Sequence, residues 1–485
     1  SGLVETVELL GSELVTNGDF ATDSDWTKGT GWTISGGNAI ATNTTVDSIY
    51  QNALTLSKLY KVSFTILSIT NGSLKIGIGI NFSEEFTVAG TYTYYGTPSN
   101  DGLLRITPSS GTNALIDNVS AKEVTRNNLA RVDYDGTASS LLVEPQRTNL
   151  ITYSEDFSQS AWVKASMNFV SNIATSPDGT LNATSLTNTN TTQSHTRTSF
   201  VTATTGIYTG SAYLKKQDFD FVYVEFGNSY AWFNISNGTL GNTGNFGSGW
   251  TFVSHSIESV GNDWYRISIT ANNTTTGTYN FRPYQPTSSN SSYNSGSIGT
   301  SFIWGTQVEE GSYPTSYIPT SGSTVTRVQD QYTKTGISNL INSEEGVLFI
   351  EMAAFTDDND GSKSISLSSG GYSDNIIIQY TTNTNQIVFK TSPAHSTPIY
   401  QPFTVSDITQ DSKMAFNFKN NDCSFWHNGI KLGSVSSFTP FSVGTLNVLN
   451  FNRGDGGEDF EGKVKQLQVF KTALTDSELI ALTTI

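Results

Sequence analysis

The chain has 485 residues, of which 14% are charged and 12% aromatic, and its formal net charge is −16. Abundant aromatic and β-branched residues exclude a disordered chain, and the scarcity of Leu, Ala, Glu and Lys runs excludes long helices. The acidic balance excludes a nucleic-acid partner, because no basic stripe is present to neutralise phosphates. No apolar run is long enough to span a bilayer, so membrane insertion is not expected.

One sequence theme occurs twice. The segment 14–20 ends at Phe20 and is followed by Trp26, and the segment 150–157 ends at Phe157 and is followed by Trp162. Each copy continues through Ser-, Thr- and Asn-rich alternating stretches, and a third unit of different pattern occupies the C-terminal part. Repeats of this length can each complete a core, which predicts serial β-domains.

The predicted fold is all-β, with three serial antiparallel β-sandwich (jelly-roll) domains and a short C-terminal helix. The predicted boundaries are an N-terminal linker or stalk end (1–12), a first jelly roll (13–124), an extended connector (125–149), a second jelly roll (150–320), a linker (321–335) and a third jelly roll (336–485).

Local patterns support these elements. Alternation in 60–66 and 263–269 is typical of half-buried strands. The pairs Asp135-Gly136 and Asn428-Gly429 predict tight hairpin turns. The segment Thr475-Asp476-Ser477-Glu478 has the capping-box pattern that opens a helix.

Residues suited to catalysis are sparse. The single cysteine, Cys423, is expected to be a buried small apolar residue. The four histidines show no metal-ligand spacing. The acids Glu458, Asp459 and Glu461 come closest to a glycosidase pair, but they lie in a predicted loop and not at alternating strand positions. The chain is therefore predicted not to be an enzyme.

The first unit resembles the jelly-roll carbohydrate-binding modules of xylanase-type enzymes. The matching residues are Asn17-Gly18-Asp19-Phe20, Trp26 and Ile116-Asp117-Asn118-Val119. The resemblance implies a structural calcium ion between the first and last strands, with Asp19 and Asp117 as its candidate ligands. Calcium prefers such oxygen ligands.

The second unit and both connectors resemble a domain that recurs in virion proteins of tailed phages. Its motifs here are residues 141–150, the segment 153–157 with Trp162, residues 304–311 and residues 313–320. The resemblance implies a structural or glycan-contacting role in a virion.

The third unit resembles laminin-G and concanavalin-like jelly rolls. The residues concerned are 425–429, 460–464 and 473–479. Domains of this kind bind glycans or proteins, or act as spacers.

A glycan site needs an exposed aromatic ring that packs on a sugar, with polar groups beside it that bond the hydroxyls. Trp250 follows a Gly- and Ser-rich loop and is the leading candidate for an exposed ring. In the first unit Trp32 is a second candidate, with an inward-packed loop anchor as the alternative. The other candidates come from the second unit, which is the richest in aromatics: Trp232, Tyr230, Tyr284 and Arg282.

Together these features predict a non-catalytic virion adhesion protein of the tail-fibre or spike type, on the virion surface. Its expected partners are cell-surface polysaccharide, other virion proteins and further copies of itself, with a homotrimer expected by analogy. One alternative is a purely structural virion decoration or adaptor protein. Another is the glycan-binding accessory region of a secreted polysaccharide-degrading enzyme.

Overall fold

The computed structural model describes residues 5–6, 9–83, 85–125, 131–135, 138–358 and 360–485. Within these ranges the chain forms 39 strands and one helix. This confirms the predicted all-β class with one short C-terminal helix. Within the same ranges no helix is long and apolar enough to cross a membrane. The described residues fall into two compact units, one formed by the described residues from 6 to 125 and one formed by Glu5 and the described residues from 131 onward.

The first sandwich packs two antiparallel sheets around one apolar core. One sheet has the order β10-β7-β12-β5-β4, with β2 also paired to β12, and the other has the order β3-β6-β11-β8-β9. The strands up to residue 125 are β1 (Glu5–Thr6), β2 (Leu9–Glu13), β3 (Thr27–Lys28), β4 (Trp32–Ser35), β5 (Asn38–Ala41), β6 (Ile49–Asn52), β7 (Tyr60–Asn71), β8 (Leu74–Ile78), β9 (Asn81–Phe82), β10 (Gly90–Gly96), β11 (Leu103–Pro108) and β12 (Asn113–Thr125). Half of the expected linker 1–12 lies outside the described residues.

The interval expected as an extended connector contains a hairpin of β13 (Arg131–Asp135) and β14 (Ala138–Val143). Gly136 of the predicted Asp-Gly turn lies outside the described residues. Strand β14 pairs with β39 (Gly462–Phe470), the last strand of the chain. The side chain of Val143 is fully buried in the core of the third sandwich. Residues that precede the second sandwich in sequence are thus part of the third.

The second sandwich consists of two six-stranded antiparallel sheets. The sheet that carries the candidate site, called the β21 sheet below, has the order β16-β19-β26-β21-β22-β23, and the facing sheet has the order β17-β18-β27-β20-β25-β24. The strands of this region are β15 (Arg147–Asn149), β16 (Trp162–Ala165), β17 (Met167–Ala174), β18 (Ala183–Asn188), β19 (His195–Thr202), β20 (Gly206–Lys216), β21 (Phe221–Phe226), β22 (Ser229–Asn234), β23 (Thr239–Asn245), β24 (Trp250–Ser259), β25 (Trp264–Asn273), β26 (Gly277–Thr287), β27 (Thr300–Glu310) and β28 (Val325–Arg327). Strands β15 and β28 pair with each other, which joins the two predicted connectors.

The third sandwich has a larger sheet that contains β13-β14-β39-β30-β35-β36-β37 and a smaller one of order β29-β38-β31-β32-β33-β34. Its remaining elements are β29 (Thr333–Lys334), β30 (Gly346–Ala354), β31 (Lys363–Ser368), β32 (Asn375–Tyr380), β33 (Gln386–Thr391), β34 (Tyr400–Thr404), β35 (Ser412–Lys419), β36 (Asp422–His427), β37 (Ile430–Val435), β38 (Val448–Asn450) and α1 (Asp476–Thr483).

Two local predictions in the third sandwich are confirmed. The turn between β36 and β37 consists of Asn428 and Gly429, with φ of 48° and 79° as a tight hairpin turn requires. Thr475 caps α1, and Glu478 completes the capping box. Cys423 is fully buried, as expected, and burial raises the pKa of its thiol to about 12.

Candidate functional site

Strand alternation places a set of aromatic and polar side chains on the outer face of the β21 sheet. Val222 and Val224 of β21 point into the core, so Tyr223 and Glu225 point to the opposite face. In β22, Ala231 and Phe233 lie in the core, and Tyr230 and Trp232 point outward by the same alternation.

A β-bulge in β26 adds polar groups to this outer face. Tyr223 lies opposite Gln285, whereas Glu225 lies opposite Arg282, so two residues of β26, Pro283 and Tyr284, correspond to the single residue Val224 of β21. The extra residue allows Arg282 and Gln285 to share one face although they are three positions apart. Tyr284, between them, points into the core.

The rings on this face form one cluster, called the aromatic cluster below. Tyr223 is central, with ring centroids 5.8 Å from Tyr230, 4.9 Å from Trp232 and 5.0 Å from Tyr293. Tyr230 and Phe246 have nearly parallel rings 6.2 Å apart. The outer members are open to solvent, with Phe246 52% and Tyr293 45% exposed, while Tyr223 and Trp232 are buried beneath them.

The segment that carries Tyr293 is bound to the sheet by two hydrogen bonds. Nε1 of Trp232 donates to the carbonyl oxygen of Ser292 at 3.0 Å. Nε2 of Gln285 donates to the carbonyl oxygen of Tyr293 at 2.8 Å. These bonds hold the exposed ring in place, which lowers the entropy cost of contacting a ligand.

Charged groups lie directly beside the rings. Nη1 of Arg282 is 3.0 Å from Oε2 of Glu225 and also donates to Oε1 of Gln285 at 3.0 Å. Burial raises the pKa of Glu225, although Arg282 and Arg197 oppose this shift. Burial, assisted by the positive charges of Arg282 and Arg197, lowers the pKa of His195 to about 4. The imidazole is therefore neutral near pH 7.

These side chains surround a cavity of about 290 Å³, whose lining includes Gln193, His195, Glu225, Arg282 and Tyr293. This volume is at the lower end of the ~300–1000 Å³ typical of small-ligand pockets. It is suited to a small unit such as a single sugar ring.

Three of the predicted binding residues meet here, namely Tyr230, Trp232 and Arg282. Trp232 nevertheless exposes only 4% of its surface, because Tyr293 packs against it with centroids 5.2 Å apart. Its ring is a support for the site and not an open contact surface.

The expectation that Trp250 is exposed is wrong. Trp250 is 2% exposed and packs against Phe226 and Tyr279 at 5.1 and 4.9 Å. Although it follows a loop, it is the first residue of β24 and points into the core. A Cβ at Gly227, where φ is 57°, would lie 2.4 Å from the Trp250 ring, so glycine makes room for the indole.

Tyr284 and Trp32 are also corrected. Tyr284 is fully buried in the core of the second sandwich. Trp32 is 5% exposed, and its Nε1 donates to the carbonyl oxygen of Asp47 at 2.8 Å. It is the inward-packed loop anchor that was the alternative interpretation. Neither ring is available to a sugar.

The predicted calcium ligands make local contacts. Both carboxylate oxygens of Asp117 accept hydrogen bonds from Asn118, and Oδ1 of Asp19 accepts one from the amide of Ala21 at 3.4 Å. The backbones nearby do meet, since the amide of Val119 donates to Gly18 at 2.8 Å. Among the described residues no three His, Cys, Asp or Glu side chains are grouped as a metal site would require, so calcium stays a prediction from the resemblance.

Glu144, in the segment 141–150, has a structural role in this chain. Glu144 is buried, forms an ion pair with Arg131, lies 3.2 Å from Nη2 of Arg327, and accepts a bond from the amide of Ser316 at 2.7 Å. Burial alone would raise the pKa of Glu144, but Arg327 and Arg131 outweigh it and hold the pKa low. Asp330 forms a further ion pair with Arg131. These residues join the two connectors.

In the third sandwich Glu458 is bound by its neighbours. Its Oε2 accepts from Ser364, Gln379 and Lys390 at 2.9, 2.8 and 3.0 Å, and its Oε1 lies 3.3 Å from Nη1 of Arg453. This carboxylate anchors the loop after β38 to the smaller sheet.

Sequence reasoning did not single out Tyr223, Glu225, Phe246, Tyr293 and His195. For Tyr223 and Glu225 a signal was present, since they alternate with Val222, Val224 and Phe226. Phe246 and Tyr293 lie after strands, at positions that only the folded sheet brings together.

No protein-family model matches this chain, and no curated protein matches it. Several solved structures are partially similar to this chain. One is the CBM40 of Ruminococcus gnavus IT-sialidase bound to α2,3-sialyllactose. That CBM40 is 16% identical over 31% of this chain and 98% of its own, with a TM-score of 0.26. The CBM22 tandem domain of Paenibacillus barcinonensis Xyn10C is 11% identical over 62% and 98%, with a TM-score of 0.20. Domains LG4-5 of the mouse laminin α1 chain are 9% identical over 55% and 83%, with a TM-score of 0.21. Because TM-scores of this size carry no information about function, the proposal below rests on the geometry of the aromatic cluster.

Proposed function

We propose that this chain is a non-catalytic glycan-binding protein whose second sandwich holds a sugar on the outer face of the β21 sheet. One observation carries the proposal. Exposed rings, Tyr293 and Phe246, adjoin a cavity that also presents a guanidinium, a carboxylate and amide groups.

This combination matches the two sides of a sugar. The C–H face of a pyranose is apolar and packs on an aromatic ring, while its hydroxyls need donors and acceptors at the rim. Arg282 supplies donors, Glu225 supplies acceptors, and exposed Gln193 supplies both. The site binds by packing and hydrogen bonding, with no chemical turnover.

We further propose that the protein acts on a virion surface, as an adhesin of the tail-fibre or spike type. The support is the sequence resemblance of residues 141–157 and 304–320 to tailed-phage virion proteins. A homotrimer belongs to the same proposal, because several weak sugar sites held together bind with avidity. The two alternative roles make different predictions. A structural virion protein would bind no glycan, and an accessory region would lie next to a catalytic domain.

The experiment is affinity electrophoresis and a glycan array with variants of the full chain. Tyr293→Ala and Phe246→Ala are each expected to weaken binding about fivefold to tenfold, since each removes an exposed ring worth about 1–1.4 kcal/mol. The matched control is Tyr400→Ala, which removes a still more exposed ring (61%) from the third sandwich and should bind as the wild type does. If the wild-type protein binds no glycan, or if Tyr400→Ala weakens binding as much as the other two variants, the proposal is wrong.

A further inference from the structure

The charges near the cavity contrast with those of the whole protein. The chain carries a formal net charge of −16, yet Glu225 is accompanied by two guanidinium groups, those of Arg282 and Arg197, both close enough to influence its pKa. The imidazole of His195 is neutral near pH 7 and so does not balance these positive charges. Glu225 and Arg282 line the cavity and balance each other, and Arg197 adds a positive charge beside it, so this region is more positive than the protein as a whole.

Arg197 and Arg282 share the outer face of adjacent strands. The pairs Thr196–Tyr284 and Thr198–Phe281 bracket them in the register of β19 with β26. Like charges on neighbouring strands destabilise a sheet. Glu225 compensates Arg282, whereas Arg197 forms no ion pair with any residue that the structure describes.

Both guanidinium groups also have unused donors. The Nε atoms of Arg197 and Arg282 are buried and have no hydrogen-bond partner among the described residues. Arg282 uses Nη1 for both of its bonds, to Glu225 and Gln285. A ligand cannot reach these buried Nε atoms, but Nη2 of Arg282 and both Nη atoms of Arg197 also make no hydrogen bond to a described residue and are not buried, so an acceptor from outside the chain can reach them.

We infer that the site selects an anionic sugar, whose carboxylate or sulfate group is held by Arg197 and Arg282 while its ring packs on the aromatic cluster. This rests on the proposed function. Guanidinium groups form charge-assisted, often bidentate, bonds to such oxyanions. The anion would relieve the repulsion between the two arginines and satisfy their donors.

The test uses the full chain and a panel of matched polysaccharides. Each uronic-acid polysaccharide is paired with its carboxyl-reduced form, and each sulfated one with its desulfated form. The wild type is expected to bind at least one anionic member at least about tenfold more tightly than its neutral counterpart. The pair that shows the difference identifies carboxylate or sulfate as the recognised group.

The decisive variant is Arg197→Gln. It should weaken binding to the anionic member about tenfold, leave binding to the neutral counterpart unchanged, and change the melting temperature little, because Arg197 forms no ion pair with any residue that the structure describes. Lys431→Gln, which removes a positive charge from the third sandwich, is the control and should bind normally.

Each remaining outcome is informative. Equal binding of anionic and neutral members, or an unchanged affinity of Arg197→Gln, overturns this inference and leaves glycan binding intact. Binding to no member of the panel overturns the proposed function itself.

Discussion

Glu225 and Arg282 lie opposite each other on neighbouring strands, with Oε2 and Nη1 separated by 3.0 Å and both side chains largely buried, at 15% and 17% exposed. The pair joins the two halves of the candidate site, because Glu225 adjoins Tyr223 in β21 and Arg282 bonds Gln285 in β26. Its geometry depends on the β-bulge that turns both β26 side chains outward.

The strength of this pair is measurable by a double-mutant cycle. Glu225→Gln, Arg282→Gln and the double variant are expected to give a coupling free energy of about 1–3 kcal/mol, since the pair is in direct contact and mostly shielded from water. Chemical denaturation of the four proteins measures it. Additive effects of the two substitutions would show that the contact is absent in solution.

Trp250→Ala is expected to destabilise the second sandwich by about 3–5 kcal/mol, because it leaves a large cavity among Phe200, Tyr208, Phe226 and Tyr279. The measurement is the free energy of unfolding. Phe246→Ala, which removes an exposed ring, should change it by no more than about 0.5 kcal/mol. Similar values for the two variants would contradict the buried position of Trp250.

His195 is expected to make stability fall as the pH falls. The folded protein holds the pKa of His195 at about 4, below its ordinary value of 6.5. Between these values the unfolded chain binds the proton and the folded chain does not, so acidification favours unfolding. The melting temperature of the wild type should therefore drop more steeply from pH 6.5 to pH 4 than that of His195→Gln. Parallel curves would refute the shift.

Glu144→Gln is expected to cost about 3–5 kcal/mol of stability, because it leaves Arg131 and Arg327 buried with half of their compensating charge removed. Denaturant titration measures the loss. Gln146→Ala alters an exposed side chain two positions away and keeps the backbone bond to Gln329, so it should cost no more than about 0.5 kcal/mol. A loss for both variants alike would argue against the ion-pair network.

The sequence was sufficient for the parts of the fold that depend on local chemistry. Alternation identified strands such as β7, and the capping box at Thr475 identified the single helix. It was insufficient where the fold depends on pairing between strands that are distant in the sequence. Nothing local in residues 131–143 indicates that β14 pairs with β39, more than 300 residues later.

The candidate site was likewise predictable only where local sequence patterns determine it. Composition points to the second unit, which contains the aromatic cluster, and of the predicted binding residues Tyr230, Trp232 and Arg282 belong to the candidate site. The glycine and serine before Trp250 suggest an exposed ring. Trp250 is nevertheless buried, because it is the first residue of β24 and its side chain points into the core. The sequence places Tyr284 wrongly because it gives no sign of the bulge in β26. The bulge breaks the alternation of inward and outward side chains between Arg282 and Gln285, so that Tyr284 points into the core.

The hairpin β13–β14 has a consequence for how the polypeptide is made. It leaves the ribosome before any of the second sandwich, but its partner β39 is synthesised only after the whole of the second sandwich. The third sandwich can therefore reach its final form only after β39 has been synthesised, when the intervening sandwich has had time to form. For the same reason, a recombination event that exchanged residues 336–485 alone would leave behind β13, β14 and β29, which belong to the sheets of the exchanged part.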